Sequence, residues 1–183
     1  MTSGEWLLDE SNGEVLIHTG VAGRAAKMGH RLTIAMDSWR ATLRWVDDLP
    51  AAASLVVDVN SLRVLRGEGG LTPLSGPEKS VVRTNALKSL GAQRFPEIRF
   101  TAEEFERIGD GRYRVHGTVE IHGATSHRAI DVRIEDAGDA WQLSGQAEIR
   151  QTDFGVKPYS LLAGTLKVVD AVTVSVLARR AKD

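Results

Sequence analysis

At 183 residues the chain is long enough for one domain with a sizeable buried core. With 23 basic against 24 acidic residues it has no general affinity for polyanions, which disfavours nucleic-acid binding. It has no cysteine, which excludes disulfides, thiolate catalysis and Cys-ligated metals and fits a reducing compartment. Met1–Asn12 carries Glu5, Asp9 and Glu10 and lacks a basic region followed by a long apolar run, so no secretory signal is read there. No stretch approaches the ~18 apolar residues of a transmembrane helix, so no integral membrane segment is expected and the location expected is cytoplasmic.

Period-two alternation then dominates. Glu14–Gly20 sets Val15, Ile17 and Thr19 against Leu16 and His18. Gly23–Asp37 opens on a basic turn (Arg24, Lys27, His30, Arg31) and runs into a strand with Leu32, Ile34 and Met36 on one face. Trp39–Trp45 presents Ala41, Leu43 and Trp45, and Ser54–Val59 presents Leu55, Val57 and Val59. Arg63–Gly76, with four glycines and Pro73, reads as a long irregular connection.

Pro77 and Glu78 suit a first helical turn, Val82, Ala86 and Leu90 recur at helical spacing, and Gly91 suits a C-terminal stop. One helix over Pro77–Leu90 is expected, its stripe used for packing.

Beyond Pro96 the strands resume. Glu97–Phe105 is followed by an Asp110-Gly111 turn and by Arg112–His122, with Tyr113, Val115, Val119 and Ile121 on one face. Gly123–His127 reads as a tight turn; Arg128–Glu135 presents Ile130, Val132 and Ile134. Trp141–Arg150 presents Trp141, Leu143, Ala147 and Ile149, and a final segment over Leu166–Ala178 presents Val172, Val174 and Val176. Eight or nine one-sided strands with a single helix predict an all-β closed antiparallel barrel, with a two-sheet sandwich as the alternative.

The order of several motifs resembles the YceI family of lipocalin-like proteins: GHRLTI at Gly29–Ile34, VDVNSLRV at Val57–Val64, RFPEIRFTA at Arg94–Ala102, VHGTVEIHGATSHRAIDVRI at Val115–Ile134 and IRQTDFGV at Ile149–Val156. The resemblance covers about Glu14 to Ala178 within a single domain of 1–183. It implies an eight-stranded antiparallel barrel with a helix in the long connection and an apolar channel for isoprenoid-type lipids. The GRAAKMGHRL opening is similar to a cytoplasmic, actinobacterial-type branch.

The proposed inward set is largely aliphatic and aromatic, and includes Leu32, Ile34, Leu43, Trp45, Tyr113 and Trp141 as candidate ligand contacts. A polar head entering such a channel loses water, at several kcal/mol unless donors replace it. Arg24, Lys27, His30, Lys157 and Tyr159 are the candidate donors, with His30 foremost because it shares the face of Leu32 and Ile34.

No cofactor or metal is expected. His116 and His122 share a strand face, but six extended residues separate them by roughly 20 Å. Asp153-Phe154-Gly155 lacks the glycine-rich loop that would make it a kinase signature, and no G-x-S-x-G elbow occurs. Glu103-Glu104 and Asp47-Asp48 are chain neighbours that face opposite ways on a strand.

The reading is therefore non-enzymatic binding of an isoprenoid-type amphiphile, with a homodimer compatible with it. Two alternatives stand beside it. One is an enzyme using His30 as general base with Tyr159 or Lys157 as electrophile, and the other a ligand-free structural barrel with a filled core.

Overall fold

A computed structural model describes residues 3–183. The strands are β1 (Ser3–Asp9), β2 (Gly13–His18), β3 (Val21–Ala22), β4 (His30–Met36), β5 (Trp39–Val46), β6 (Leu49–Asp58), β7 (Leu62–Gly69), β8 (Glu97–Gly109), β9 (Arg112–Ile121), β10 (Ala124–Asp136), β11 (Ala140–Arg150), β12 (Ser160–Leu161), β13 (Leu166–Val168) and β14 (Ala171–Ala181), with one α-helix, α1 (Gly76–Leu90).

Eleven strands form one antiparallel sheet in the order β1-β5-β6-β8-β9-β10-β11-β14-β2-β4-β7. The registers reduce these to eight staves. β1 and β2 lie along β5 and β4 as one interrupted strand, because Asp9 pairs with Arg40 and Val15 with Met36. β6 and β7 oppose the same β5 and β4, with Trp39 paired to Val57 and Met36 to Leu62. The sheet thus curls into the expected lipocalin-like barrel, with three staves bent at residues 10–12, 37–38 and 59–61.

One panel of the wall is helical. β6 pairs with β8 over Ala53–Asp58, whereas β7 has no ladder partner beyond β4, and α1 packs beside it. α1 forms where its signals place it: Ser75 Oγ accepts from the Glu78 N–H, Ser75 N–H donates to Glu78 Oε2 at 2.6 Å, and Gly91 closes the helix at φ 60°. Val82, Ala86, Leu87 and Leu90 pack onto the core beside Leu62 and Val64. Arg83 donates to the carbonyls of Leu62 and Asn60 at 2.7 and 2.6 Å and pins the helix to the barrel.

Several expected boundaries move. Ser3–Asp9 is a strand with Trp6 and Leu8 buried, where the sequence signalled none. Half of Arg63–Gly76 is β7 and Gly76 opens α1, so the irregular connection shrinks to residues 70–75. The turn expected over Gly123–His127 is only His122-Gly123, both at positive φ (54° and 73°), and Ala124–His127 belongs to β10. The last apolar segment is two strands, β13 and β14, parted at Val169-Asp170. There Asp170 accepts from Thr152 N and Oγ1, and those bonds hold its carboxyl below the usual carboxylate range.

Candidate functional site

The inward faces of the staves enclose a cavity of about 860 Å³, within the range of ligand pockets. Leu32, Ile34 and Met36 of β4, Val115 and Val119 of β9, Ile130, Val132 and Ile134 of β10 and Val172, Val174 and Val176 of β14 all face it. α1 contributes Val82, Asn85, Ala86 and Ser89 from one side, which makes the helix part of the lining. A filled barrel, the expectation of the ligand-free alternative, is not what these residues build.

One end is closed by aromatic packing. The Trp6 ring lies 4.8 Å from Trp45 and 6.1 Å from Trp141, centroid to centroid, and Tyr113 joins the same cluster. Arg180 and Lys182 stand over Trp6 and Trp141 at 5.8 and 4.7 Å, covering the rings from outside. Trp45, Tyr113 and Trp141 therefore share the inward face but not the cavity: they are its floor. Trp6, which the sequence analysis missed, is the centre of that floor.

The opposite end reaches solvent between α1, a 3₁₀ turn at Ala26–Met28 and the three-stranded sheet of β12, β13 and β3. Met28, Val81, Tyr159 and Leu161 line the cavity and are also exposed, so this is the mouth.

His30 sits at the mouth on the face of Leu32 and Ile34. Its Nε2 lies 2.7 Å from the Thr72 carbonyl; a carbonyl only accepts, so Nε2 carries the proton. Glycines make room for the ring. A Cβ on Gly70, whose φ is +72°, would lie 2.6 Å from His30 Nε2, and one on Gly67 would lie 2.8 Å from His30 Cβ. The glycine run after Val64 is thus a cradle for one side chain, and it belongs largely to a strand.

The other candidate donors separate. Tyr159 lines the cavity, whereas Arg24, Lys27 and Lys157 are exposed outside its lining. Lys157 is therefore apart from the cavity that His30 and Tyr159 share. Polar residues that the sequence analysis missed also face the space, among them Asn85, Ser89 and Lys167. Nothing in their spacing marked them, because the first two lie on the inner face of a helix and the third on a strand of three residues. Asp153-Phe154-Gly155 is structural: Phe154 is buried under Arg128, whose Nη2 donates to Asp153 Oδ2 at 2.8 Å, and Gly155 turns the chain at φ 68°. No helix among the described residues is long and apolar enough to cross a membrane.

An eight-stave antiparallel barrel with an aromatic floor, an apolar interior and a helix in its wall is lipocalin-like in class. The chain belongs to the YceI-like family, whose domain matches residues 6–179. Among solved structures it is similar to Burkholderia cenocepacia BcnA, with a TM-score of 0.73 and 16% identity over 95% of this chain and 99% of that one. It is also similar to the Campylobacter jejuni YCEI protein, with a TM-score of 0.61 and 13% identity over 82% and 84% of the two chains. At such identities the likeness is one of fold. No curated protein matches the sequence.

Proposed function

We propose that the protein binds an elongated apolar amphiphile of the isoprenoid class, without chemistry upon it, holding the tail inside the barrel and the head at the mouth. The single observation that carries this reading is the 860 Å³ cavity lined by inward strand faces and floored by tryptophans. Burying ~400 Å² of tail at ~25 cal/mol per Å² contributes roughly 10 kcal/mol before ordering costs, enough for useful affinity. His30, Tyr159, Asn85, Ser89 and Lys167 are the groups proposed to meet the head, and Leu32, Ile34 and Leu43 to meet the tail. Commitment of His30 Nε2 to the Thr72 carbonyl favours a fixed polar contact over a proton-shuttling role. A carrier or reservoir in the cytoplasm is the setting that the lack of cysteine supports.

Native mass spectrometry of the full chain, purified gently and then offered a polyprenol, tests the reading. A bound species in the lipid mass range is the result expected. Neither co-purified lipid nor uptake of added polyprenol would overturn it.

A further inference from the structure

We infer that the mouth is a docking surface for an anionic lipid bilayer, from which the barrel exchanges its ligand. The inference rests on the lipid-binding reading for its purpose, though not for its test.

The first observation concerns apolar side chains. Ten large hydrophobic residues are exposed among the described residues, and six of them gather at or beside the mouth: Met28, Leu71, Val81, Tyr159, Leu161 and Leu162, between 36% and 78% exposed. Four of the six also line the cavity, so the outer apolar rim and the interior are one continuous surface. Scattered exposed hydrophobics need no explanation, but a rim continuous with a lipid-sized cavity does.

The second observation is charge. The segments 20–31 and 155–169 carry Arg24, Lys27, Arg31, Lys157 and Lys167 and no Asp or Glu, in a chain whose total charge is −1; with Glu68 opposite Arg31, and Glu78 and Lys79 at the start of α1, the mouth stays net positive. The two segments are joined at the mouth, where Val21–Ala22 pairs with Lys167–Val168 and Leu161 with Leu166. Most arginines elsewhere on the barrel are spent in ion pairs, as Arg63 with Asp37 and Arg114 with Asp131. None of the five mouth cations forms one among the described residues. Unpaired cations around an apolar rim match an anionic lipid surface, where lysine and arginine meet headgroups while apolar side chains reach the acyl boundary.

A third observation concerns the hairpin tip between β12 and β13. Leu162 and Ala163 both hold positive φ, 52° and 55°, a region that a bulky side chain disfavours and Asn or Gly would occupy more readily. The Leu162 carbonyl closes the turn by accepting from Thr165, but its side chain is 57% exposed and belongs to none of the buried clusters. Insertion into a bilayer gives that side chain a place.

Flotation of the full chain with vesicles tests the inference. Wild type should float with phosphatidylcholine vesicles that contain phosphatidylglycerol, should float much less with phosphatidylcholine alone, and should be released by about 0.5 M salt. Neutralising Arg24, Lys27 and Lys157 together as glutamines should weaken partitioning by roughly fivefold for each cation. Leu162→Asn should lower it by roughly threefold or more while keeping or raising thermal stability, since Asn accepts the backbone angle. Leu177→Asn, at an exposed leucine away from the mouth, should change nothing. Failure to float with the anionic vesicles at low salt would overturn the inference and leave a protein as the partner of this face. Equal effects of the Leu162 and Leu177 changes would overturn it too. Uptake of a fluorescent apolar probe without vesicles reads the cavity alone, so loss of probe binding with flotation intact would strike only the lipid-binding reading.

Discussion

His30 Nε2 lies 2.7 Å from the carbonyl oxygen of Thr72, and this bond ties the start of β4 to the chain just beyond β7. It joins two segments 42 residues apart at the edge of the cavity, with the ring seated against Gly67 and Gly70.

Gly70→Ala should disturb that seat. The new Cβ would fall 2.6 Å from His30 Nε2 on a backbone at φ +72°, so a loss of about 1–3 kcal/mol in chemical denaturation is expected, with displaced His30 imidazole resonances. Gly76→Ala, where nothing stands within 4 Å, should be neutral or mildly stabilising.

Filling the cavity should separate binding from folding. Ala147→Phe and Val174→Phe project into the cavity from two neighbouring staves. Each should lower affinity for an apolar fluorescent probe by roughly tenfold or more while leaving the melting temperature within a few degrees, because the added atoms enter empty space. A probe titration beside a thermal melt checks both halves.

Trp6→Ala should open the floor. The side chain is 3% exposed and sits between Trp45 and Trp141, so a loss of about 3–5 kcal/mol is expected, with a smaller loss for Trp6→Phe. Denaturant midpoints read by circular dichroism decide it.

Acid should weaken the fold. The backbone N–H and hydroxyl of Ser75 hold the Glu78 carboxyl below its usual range, Thr152 does the same for Asp170, and Arg114 for Asp131. Each folded-state value lies under its unfolded one. The stability they contribute is therefore full above the ordinary carboxylate range near about 4 and is lost as pH falls through the lowered values. Denaturant midpoints from neutral to acid pH should fall in that window, and Ser75→Ala should cost about 1 kcal/mol at neutral pH.

Alternation revealed the side each residue faces but not its height along the barrel axis. Leu32, Ile34 and Leu43 reach the cavity, whereas Trp45, on the same face of the same stave as Leu43, ends in the floor. Period two carries no information on depth, so face alone places Tyr113 and Trp141 with the cavity, although they end in the floor. β1 was invisible because Leu7, exposed between the buried Trp6 and Leu8, makes an apolar run of three where a two-faced strand would alternate. β7 was hidden by glycines whose reason, the ring of His30, lies on another strand. The helix was legible because capping is local: Ser75, Glu78 and Gly91 do their work within a few residues of one another.

The helical panel has a mechanical consequence. From β8 through β9, β10, β11, β14 and β2 to β4 the wall is stitched by continuous backbone ladders, so widening it there means breaking one. α1 is fastened by apolar contacts and by the two hydrogen bonds of Arg83. Tilting it breaks no ladder, so under the proposed binding role this plank is the part of the wall that adjusts to guests of different girth while the laddered hoop stays whole.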